Sequence, residues 1–292
     1  MPRAQANGID IEYEITGSGE PLLLIMGLNC QLVHWPDDFC DTLAGRGFQV
    51  LRFDNRDAGR STWLDHLPAP NALGSALRAM VGLRFTPPYS LADMSDDAAG
   101  LLDALGLDSA HVAGVSMGGM IAQTLAARHP GRVRSLTSIM SGPGGPRSLI
   151  GHPRAMYWLL RPYPDDEEAA LEQSVELFRV IGSTGFPYDE ELMRGILRRA
   201  MERGDNDAGF LRQLAAICAA GNRSRTLAGI RCPTVVIHGA ADPLMLPRNG
   251  RMTAQAIPGA RLLMIEGMGH DLPRGAWPRI ADAISGLARP SG

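Results

Sequence analysis

The stretch Gly114-Val115-Ser116-Met117-Gly118 decides the fold, because it places a serine between a predicted strand and a predicted helix. The residues up to Val115 form an apolar run, which is typical of a strand buried on both faces. The residues after Met117 continue with helical spacing. The two glycines permit a tight turn, since a side chain at either position would collide with the strand or the helix. The pattern therefore predicts a strand-to-helix elbow with Ser116 at its apex.

A serine at such a turn is placed for nucleophilic catalysis. Its hydroxyl group is a weak nucleophile until a neighbouring base removes the proton. The free amide of Met117 at the start of the helix would stabilise a developing oxyanion. Chance alone would give about 0.2 such pentapeptides in a chain of this composition, so the flanking strand and helix carry the prediction. A glycine-rich structural turn is the alternative.

Two later loops supply candidates for the base and the acid. Asp242 follows the apolar run 235–238, and His270 follows the apolar run 262–265. The order serine, acid, histidine is the one expected on a parallel sheet, where the carboxyl ends of the strands meet at one edge. His270 would take the proton of Ser116, and Asp242 would hold the imidazole. Taken singly, each could instead be an ordinary loop residue.

Two other carboxylates are weaker candidates for the acid. Asp54 also follows a strand, but it lies in an arginine-rich loop where pairing with Arg56 or Arg60 is expected. Asp271 is adjacent to the candidate histidine, so it points elsewhere if that histidine faces the serine. The strand that ends at Ser141 is followed by Gly-Pro-Gly-Gly, which has no carboxylate.

The loop after the predicted strand 22–26 should supply the second oxyanion donor, and we assign it to the amide of Leu28. Asn29 and Trp35 are candidates for the wall of the pocket on that side, with loop packing as the alternative for Trp35. Apolar side chains further along the chain suggest a hydrophobic acyl or alcohol group, although packing within the helices is the commoner use of such residues. These additional pocket candidates are Met156, Trp158 and Phe178.

Strand-like runs alternate with helical patterns along most of the chain, which predicts a mainly parallel sheet covered by helices on both faces. The segment 142–231 contains only helical patterns. We therefore expect a core domain formed by 1–141 and 232–292, with 142–231 inserted between two strands as a helical cap. The segment 63–89 is expected to be irregular. The predicted strands are 9–15, 22–26, 48–53, 111–115, 133–141, 234–238 and 261–265.

The composition excludes several other chemistries. All 28 basic residues are arginine, so the lysines of P-loops, pyridoxal-phosphate enzymes and Ser-Lys hydrolases are lacking. The seven histidines show no metal-binding spacing, and we expect neither a metal nor a cofactor. Three of these histidines are interpreted as structural: His34, His111 and His238.

Charge and hydropathy set expectations for the partners and the location. The net charge of −3 gives no reason to expect nucleic acid. The sequence shows neither a secretory signal nor an apolar run long enough for a membrane span, which favours a cytoplasmic location. The four cysteines are expected to be free thiols. The partner should be a small ester with a hydrophobic group, and the oligomeric state is left open.

These motifs resemble the α/β-hydrolase superfamily over nearly the whole chain, with the helical insertion as the cap. The matching features are the run 54–61, the Ser116 elbow and the loops of Asp242 and His270. The segments 26–29 and 35–37 are more narrowly similar to the branch that contains aclacinomycin methylesterase and related bacterial carboxylesterases. Met26 takes the place of a histidine that many other relatives carry. The resemblance implies ester hydrolysis by a serine triad, with Leu28 and Met117 as oxyanion donors.

The sequence thus predicts a serine carboxylesterase that acts through an acyl-enzyme intermediate. On the same triad, the alternatives are an iminopeptidase or amidase, a lactonase, a C–C bond hydrolase and a cofactor-free perhydrolase. A ligand receptor without catalytic activity is a further alternative on the same fold. The nature of the substrate depends on the cap, which the sequence specifies least.

Overall fold

A computed structural model gives the structure of the protein and describes residues 1–288; the predicted core domain extends to 292, so its residues 289–292 lie outside the described part. Within residues 1–288 the sheet has eight strands in the order β1-β2-β4-β3-β5-β6-β7-β8. The strands are β1 (Arg3–Ala6), β2 (Ile9–Thr16), β3 (Glu20–Ile25), β4 (Phe48–Phe53), β5 (Ala110–Val115), β6 (Val133–Ile139), β7 (Thr234–Gly239) and β8 (Arg261–Ile265).

The sheet is antiparallel at one end and parallel elsewhere. β2 pairs antiparallel with β1 and with β4, and every pairing from β4 to β8 is parallel. The strand β5 and the last four residues of β3 are buried, which explains the apolar runs there. The predicted, mainly parallel sheet is confirmed. The short strand β1 had no clear sequence signal, because only its last residue is buried.

Helices cover both faces of the sheet and fill the segment between β6 and β7. They are α1 (Asp37–Ala44), α2 (Ala72–Met80), α3 (Leu91–Ala104), α4 (Met117–Arg128), α5 (Pro153–Leu160), α6 (Glu167–Ile181), α7 (Glu190–Met201), α8 (Asp207–Ala219), α9 (Ser224–Leu227), α10 (Arg248–Ala256) and α11 (Trp277–Ala288). One apolar layer includes residues of α3 and α4, and the layer on the opposite face includes residues of α1 and α11.

The expectation of an irregular segment 63–89 is wrong, because α2 lies within it. The side chain of Asn71 caps this helix by accepting a hydrogen bond from the amide of Gly74 at 2.7 Å. The buried positions of α2 are small, whereas Leu73, Leu77 and Met80 are exposed. Since the large apolar side chains lie on the outer face, the usual helical pattern of buried residues does not reveal this helix.

Two buried ion pairs attach the helical insertion, residues 142–231, to the loop after β4. Arg203, which follows α7, pairs with Asp54 and also contacts Glu12 of β2 at 3.0 Å. Arg212 of α8 pairs with Asp57 through two contacts of 2.7 and 2.8 Å. Because all five side chains are 5% exposed or less, water screens these charges weakly. These buried ion pairs therefore hold the insertion against β2 and the loop after β4.

The structural role expected for Asp54 is present, but its charged partner differs from the predicted arginines. Its carboxylate accepts hydrogen bonds from the backbone amides of Leu32 at 2.7 Å and Arg60 at 3.0 Å. The side chain of Arg56 instead pairs with Asp97 of α3 at 2.6 Å. The cation that neutralises Asp54 comes from the distant insertion, which local spacing could not indicate.

Candidate active site

The elbow places Ser116 in a strained backbone conformation between β5 and α4. Its φ of 55° and ψ of −118° lie outside the regions that residues other than glycine ordinarily occupy. A Cβ atom on Gly114 would collide with the carbonyl oxygen of Gly118, and one on Gly118 would collide with the carbonyl oxygen of Ile25. The two glycines are therefore required for α4 to start so close to the strands. This arrangement brings Ser116 to the wall of a cavity.

His270 and Asp242 lie together at the same edge of the sheet. Nδ1 of His270 and Oδ2 of Asp242 are 2.8 Å apart, and both residues are buried. The other carboxylate oxygen, Oδ1, accepts hydrogen bonds from the amides of Leu244 at 2.9 Å and Met245 at 2.8 Å. These amides fix the carboxylate and leave Oδ2 for the imidazole. A carboxylate in this position holds one tautomer of the histidine and stabilises its cation.

The helical insertion also holds the loop of His270. The amide of His270 donates a hydrogen bond to the carbonyl oxygen of Ile181, the last residue of α6, at 2.7 Å. The hydroxyl of Ser183 accepts from the amide of Gly269 at 2.9 Å and donates to the carboxylate of Asp271 at 2.5 Å. Asp271 therefore bonds to the insertion and leaves His270 to Asp242.

Two residues with unused backbone amides line the same cavity as the serine. Within residues 1–288, the N–H groups of Leu28 and Met117 donate to no acceptor of the chain, and both residues line the cavity. The Met117 amide is free because it is at the first turn of α4, where intrahelical acceptors are lacking. The Leu28 amide is free because it lies within a turn closed by the hydrogen bond from Cys30 to Gly27, of 3.2 Å. Free amides of this kind can stabilise an oxyanion.

The cavity has a volume of about 720 Å³ and is bounded by both the core and the insertion. Ser116 and His270 line it, as do three of the predicted pocket residues: Asn29, Met156 and Phe178. Aliphatic and methionine side chains make up most of the remaining wall. A pocket of this size and character suits a largely apolar organic molecule.

Two of the predicted pocket residues do not line the cavity. Trp35 is fully buried in the core, where its ring stacks on Phe39 with 6.1 Å between the centroids. Trp158 packs within the insertion, and the guanidinium of Arg161 lies 5.1 Å from its ring centroid. The predictions for Trp35 and Trp158 are therefore corrected. Both side chains pack against other residues of the chain, which is the commoner role of large apolar side chains.

His34, which was predicted to be structural, lines the cavity. Its Nδ1 accepts a hydrogen bond from the amide of Gln31 at 3.0 Å, and its ring stacks on Phe178 with 6.2 Å between the centroids. Burial lowers the pKa of His34 to about 4, so the ring is neutral near pH 7. Sequence spacing gave no signal, because the contact with Phe178 joins a core loop to α6.

The charged lining of the cavity is acidic. Five carboxylates lie along the wall, and no arginine does so among residues 1–288. Burial raises the pKa of Asp205 and of Asp271, and nearby carboxylates add to the increase at both sites. These side chains would repel a ligand that carries a carboxylate group of its own. The acidic lining residues are Asp165, Glu167, Asp205, Asp207 and Asp271.

Two further features concern metals and membranes. Within the described residues, no three histidine, cysteine or carboxylate side chains are grouped so as to hold a metal ion. Every helix in residues 1–288 is too short or too polar to cross a membrane.

Comparison with known proteins identifies the family. A family model described as the alpha/beta hydrolase fold matches residues 20–273, and the chain belongs to this family. Rhodomycin D methylesterase DauP of Streptomyces sp. (strain C5) is 34% identical over 314 residues, and rhodomycin D methylesterase DnrP of Streptomyces peucetius is 31% identical over 314 residues; each alignment covers 99% of both chains. The enol-lactonase of Burkholderia xenovorans LB400 superimposes with a TM-score of 0.68 at 25% identity, covering 98% of both chains.

These similarities confirm the predicted family and its esterase branch. They make the chain an enzyme of the carboxylic-ester hydrolase kind.

Proposed function

We propose that this chain is a serine carboxylesterase with Ser116, His270 and Asp242 as its triad and the amides of Leu28 and Met117 as its oxyanion hole. The observation that carries this proposal is the 2.8 Å contact between His270 and a carboxylate whose other oxygen is already fixed by two amides. This contact lies beside a cavity that a strained serine also lines. Strain at a nucleophile is typical of active sites.

The reaction proceeds in two steps. His270 takes the proton of Ser116 as the hydroxyl oxygen attacks the ester carbonyl carbon, and the two amides stabilise the resulting oxyanion. The intermediate collapses with release of the alcohol, which receives the proton from His270. Water then enters, gives its proton to His270 and attacks the acyl-enzyme. The acid leaves, and Ser116 regains its proton.

The favoured substrate is a methyl or other small-alcohol ester of a bulky apolar acid. The two full-length relatives named as methylesterases support a small alcohol. The apolar cavity of about 720 Å³ accommodates the larger group. The carboxylates along its wall favour neutral or cationic esters over substrates that carry an additional carboxylate.

Lactone hydrolysis is the second candidate, because the enol-lactonase shares the fold over nearly its full length. A lactone is a cyclic ester, so the same triad would open it without an added group. Amide cleavage requires protonation of a poorer leaving group and is less favoured. The proposed cytoplasmic location and the independence from cofactors stay predictions.

We also propose that 142–231 is a cap and that 1–141 and 232–292 form the core. In support, helices α5–α9 occupy the segment between β6 and β7, and side chains from both parts line the cavity. The cap would then select the substrate while the core supplies the triad. This division of roles is common when a fold hosts many chemistries.

The test combines labelling with turnover. A fluorophosphonate probe should label the wild-type chain and Ser285→Ala, a buried serine of α11, but not Ser116→Ala. Asp242→Asn should lower kcat on p-nitrophenyl esters by about 10⁴-fold, because the imidazole loses its fixed tautomer. A panel of methyl esters, lactones and aminoacyl amides would then rank the substrates. Undiminished turnover by Ser116→Ala would refute the proposal.

A further inference from the structure

Gln213 of α8 joins two loops of the core by means of its side-chain amide. Its Oε1 accepts a hydrogen bond from the backbone amide of Asn29 at 2.9 Å. Its Nε2 donates a hydrogen bond to the backbone carbonyl of Arg56 at 2.8 Å. The side chain is fully buried and has both kinds of partner, so a reversed amide would lose both bonds. Gln213 does not line the cavity, yet it reaches the residue next to Leu28.

The loop that Gln213 contacts is a tight turn. The amide of Cys30 donates to the carbonyl of Gly27 at 3.2 Å, and Asn29 has a φ of 56° in the left-handed region. Such a turn leaves the amides of its two central residues unused. Gln213 takes the amide of Asn29, and the amide of Leu28 stays available to the cavity.

The turn lies against the nucleophile. A Cβ atom on Gly27 would be 3.2 Å from the Cβ atom of Ser116. The N–H of Asn29 belongs to the peptide that follows Leu28 in this turn. A small rotation of that peptide changes the direction of the Leu28 amide as well. Oxyanion stabilisation depends on that direction, since its donors must meet an oxygen atom at hydrogen-bond distance.

The position of Gln213 is itself fixed from both sides. Its neighbour Arg212 forms the buried bidentate pair with Asp57. Its second partner, the carbonyl of Arg56, belongs to a residue whose side chain pairs with Asp97 at 2.6 Å. The amide of Gln213 therefore connects the turn to a rigid frame, and the turn cannot shift without losing this bond.

We propose that Gln213 is a positioning residue that holds the oxyanion turn, so that helix α8 of the insertion acts on catalysis through the Leu28 amide. This inference rests on the proposed function. Without the side-chain amide, the N–H of Asn29 loses this acceptor in a partly buried site, which is unfavourable. The turn then relaxes, and the hydrogen bond from the Leu28 amide to the oxyanion weakens.

The first test is Gln213→Leu, which keeps much of the side-chain volume and removes both hydrogen bonds. With p-nitrophenyl butyrate, we expect kcat to fall by about 10–100-fold, somewhat less than for complete loss of an oxyanion donor. KM should change by about twofold or less, because the ground-state ester does not depend on the oxyanion contact. Inhibition by phenylboronic acid, whose serine adduct is tetrahedral, should weaken in parallel with kcat.

The second test is Gln213→Glu, whose effect depends on protonation. The neutral acid can accept from Asn29 and donate to the carbonyl of Arg56, whereas the carboxylate would repel that carbonyl. The ratio of variant to wild-type kcat should therefore rise as the pH falls. This ratio cancels the titration of the triad, which both enzymes share, and it provides the test if Gln213→Leu does not fold.

Gln173→Leu is the matched control. Gln173 is a buried glutamine of α6 whose Nε2 donates to the carbonyls of Arg161 and Pro162, away from the turn. This variant should lose stability without the selective loss of kcat. An unchanged kcat in Gln213→Leu, an equal loss in Gln173→Leu, or a pH-independent ratio in Gln213→Glu would overturn the positioning role. A wild-type chain that neither hydrolyses esters nor reacts with the probe would instead refute the proposed function itself.

Discussion

Replacing Arg212 with methionine should destabilise the protein by about 3–5 kcal/mol, the usual cost of leaving one partner of a buried ion pair alone. Arg212 and Asp57 make two contacts of 2.7 and 2.8 Å, and their side chains are 1% and 0% exposed. Methionine retains the apolar stem of arginine, so the packing of α8 changes little. The loss comes mainly from the uncompensated carboxylate.

Other contacts of Asp57 set where in this range the result falls. Its Oδ1 atom also accepts from the amide of Leu64 at 2.7 Å and from the side chain of Asn206 at 3.4 Å. These two donors remain in the variant and stabilise part of the charge. We therefore expect a value near 3 kcal/mol, at the lower end of the range.

Urea unfolding monitored by circular dichroism gives the free energy of unfolding directly. The double variant Arg212→Met with Asp57→Asn removes the charge as well as its partner, and it should recover about 1–2 kcal/mol relative to the single variant. Arg199→Met is the control, because Arg199 and Asp37 are 38% and 52% exposed. That change should cost less than about 1 kcal/mol. A loss below 1 kcal/mol for Arg212→Met, or a double variant no more stable than the single, would refute the reasoning.

Two further predictions concern His34 and Ser116. Burial lowers the pKa of His34 from 6.5 to about 4, so between these values the unfolded chain binds a proton that the folded chain does not. The free energy of unfolding should therefore fall as the pH drops through this window, by at most about 3 kcal/mol. If the difference in this free energy between the wild-type chain and His34→Asn did not vary with pH, the prediction would be wrong. Ser116→Gly should be more stable than Ser116→Ala by about 1 kcal/mol, because glycine tolerates a φ of 55°; equal melting temperatures would show that the elbow is unstrained.

The parts of the fold that local sequence determines could be predicted. The elbow is such a part, because its strand, glycines and helix are contiguous in the chain. The positions of Asp242 and His270 followed from a topological rule, since each comes after its own parallel strand. The start of α3 is likewise determined by local sequence, because Ser90 and Asp93 form a capping box there.

The arrangement of the insertion could not be predicted in the same way. Met156 and Trp158 lie on one helix, yet only Met156 lines the cavity. Which apolar side chain faces a cavity and which faces a neighbouring helix depends on how the helices pack, and periodicity does not report this. Arg203, Arg212 and Gln213 act on loops far away in the sequence. The sequence does show that the polar residues at positions 212 and 213 adjoin apolar residues on α8, which suggests burial. It does not indicate which residues they contact.

The pairs Asp54–Arg203 and Asp57–Arg212 also limit how such enzymes can diversify by recombination. Both carboxylates come from the loop after β4, whereas both guanidinium groups come from the helical insertion, residues 142–231. A helical insertion transplanted from another enzyme would have to bring two cations to the same places, or the recipient would have to exchange its two aspartates at the same time. We therefore expect the loop after β4 and the distant segment 203–212 to change together, although the sequence separates them.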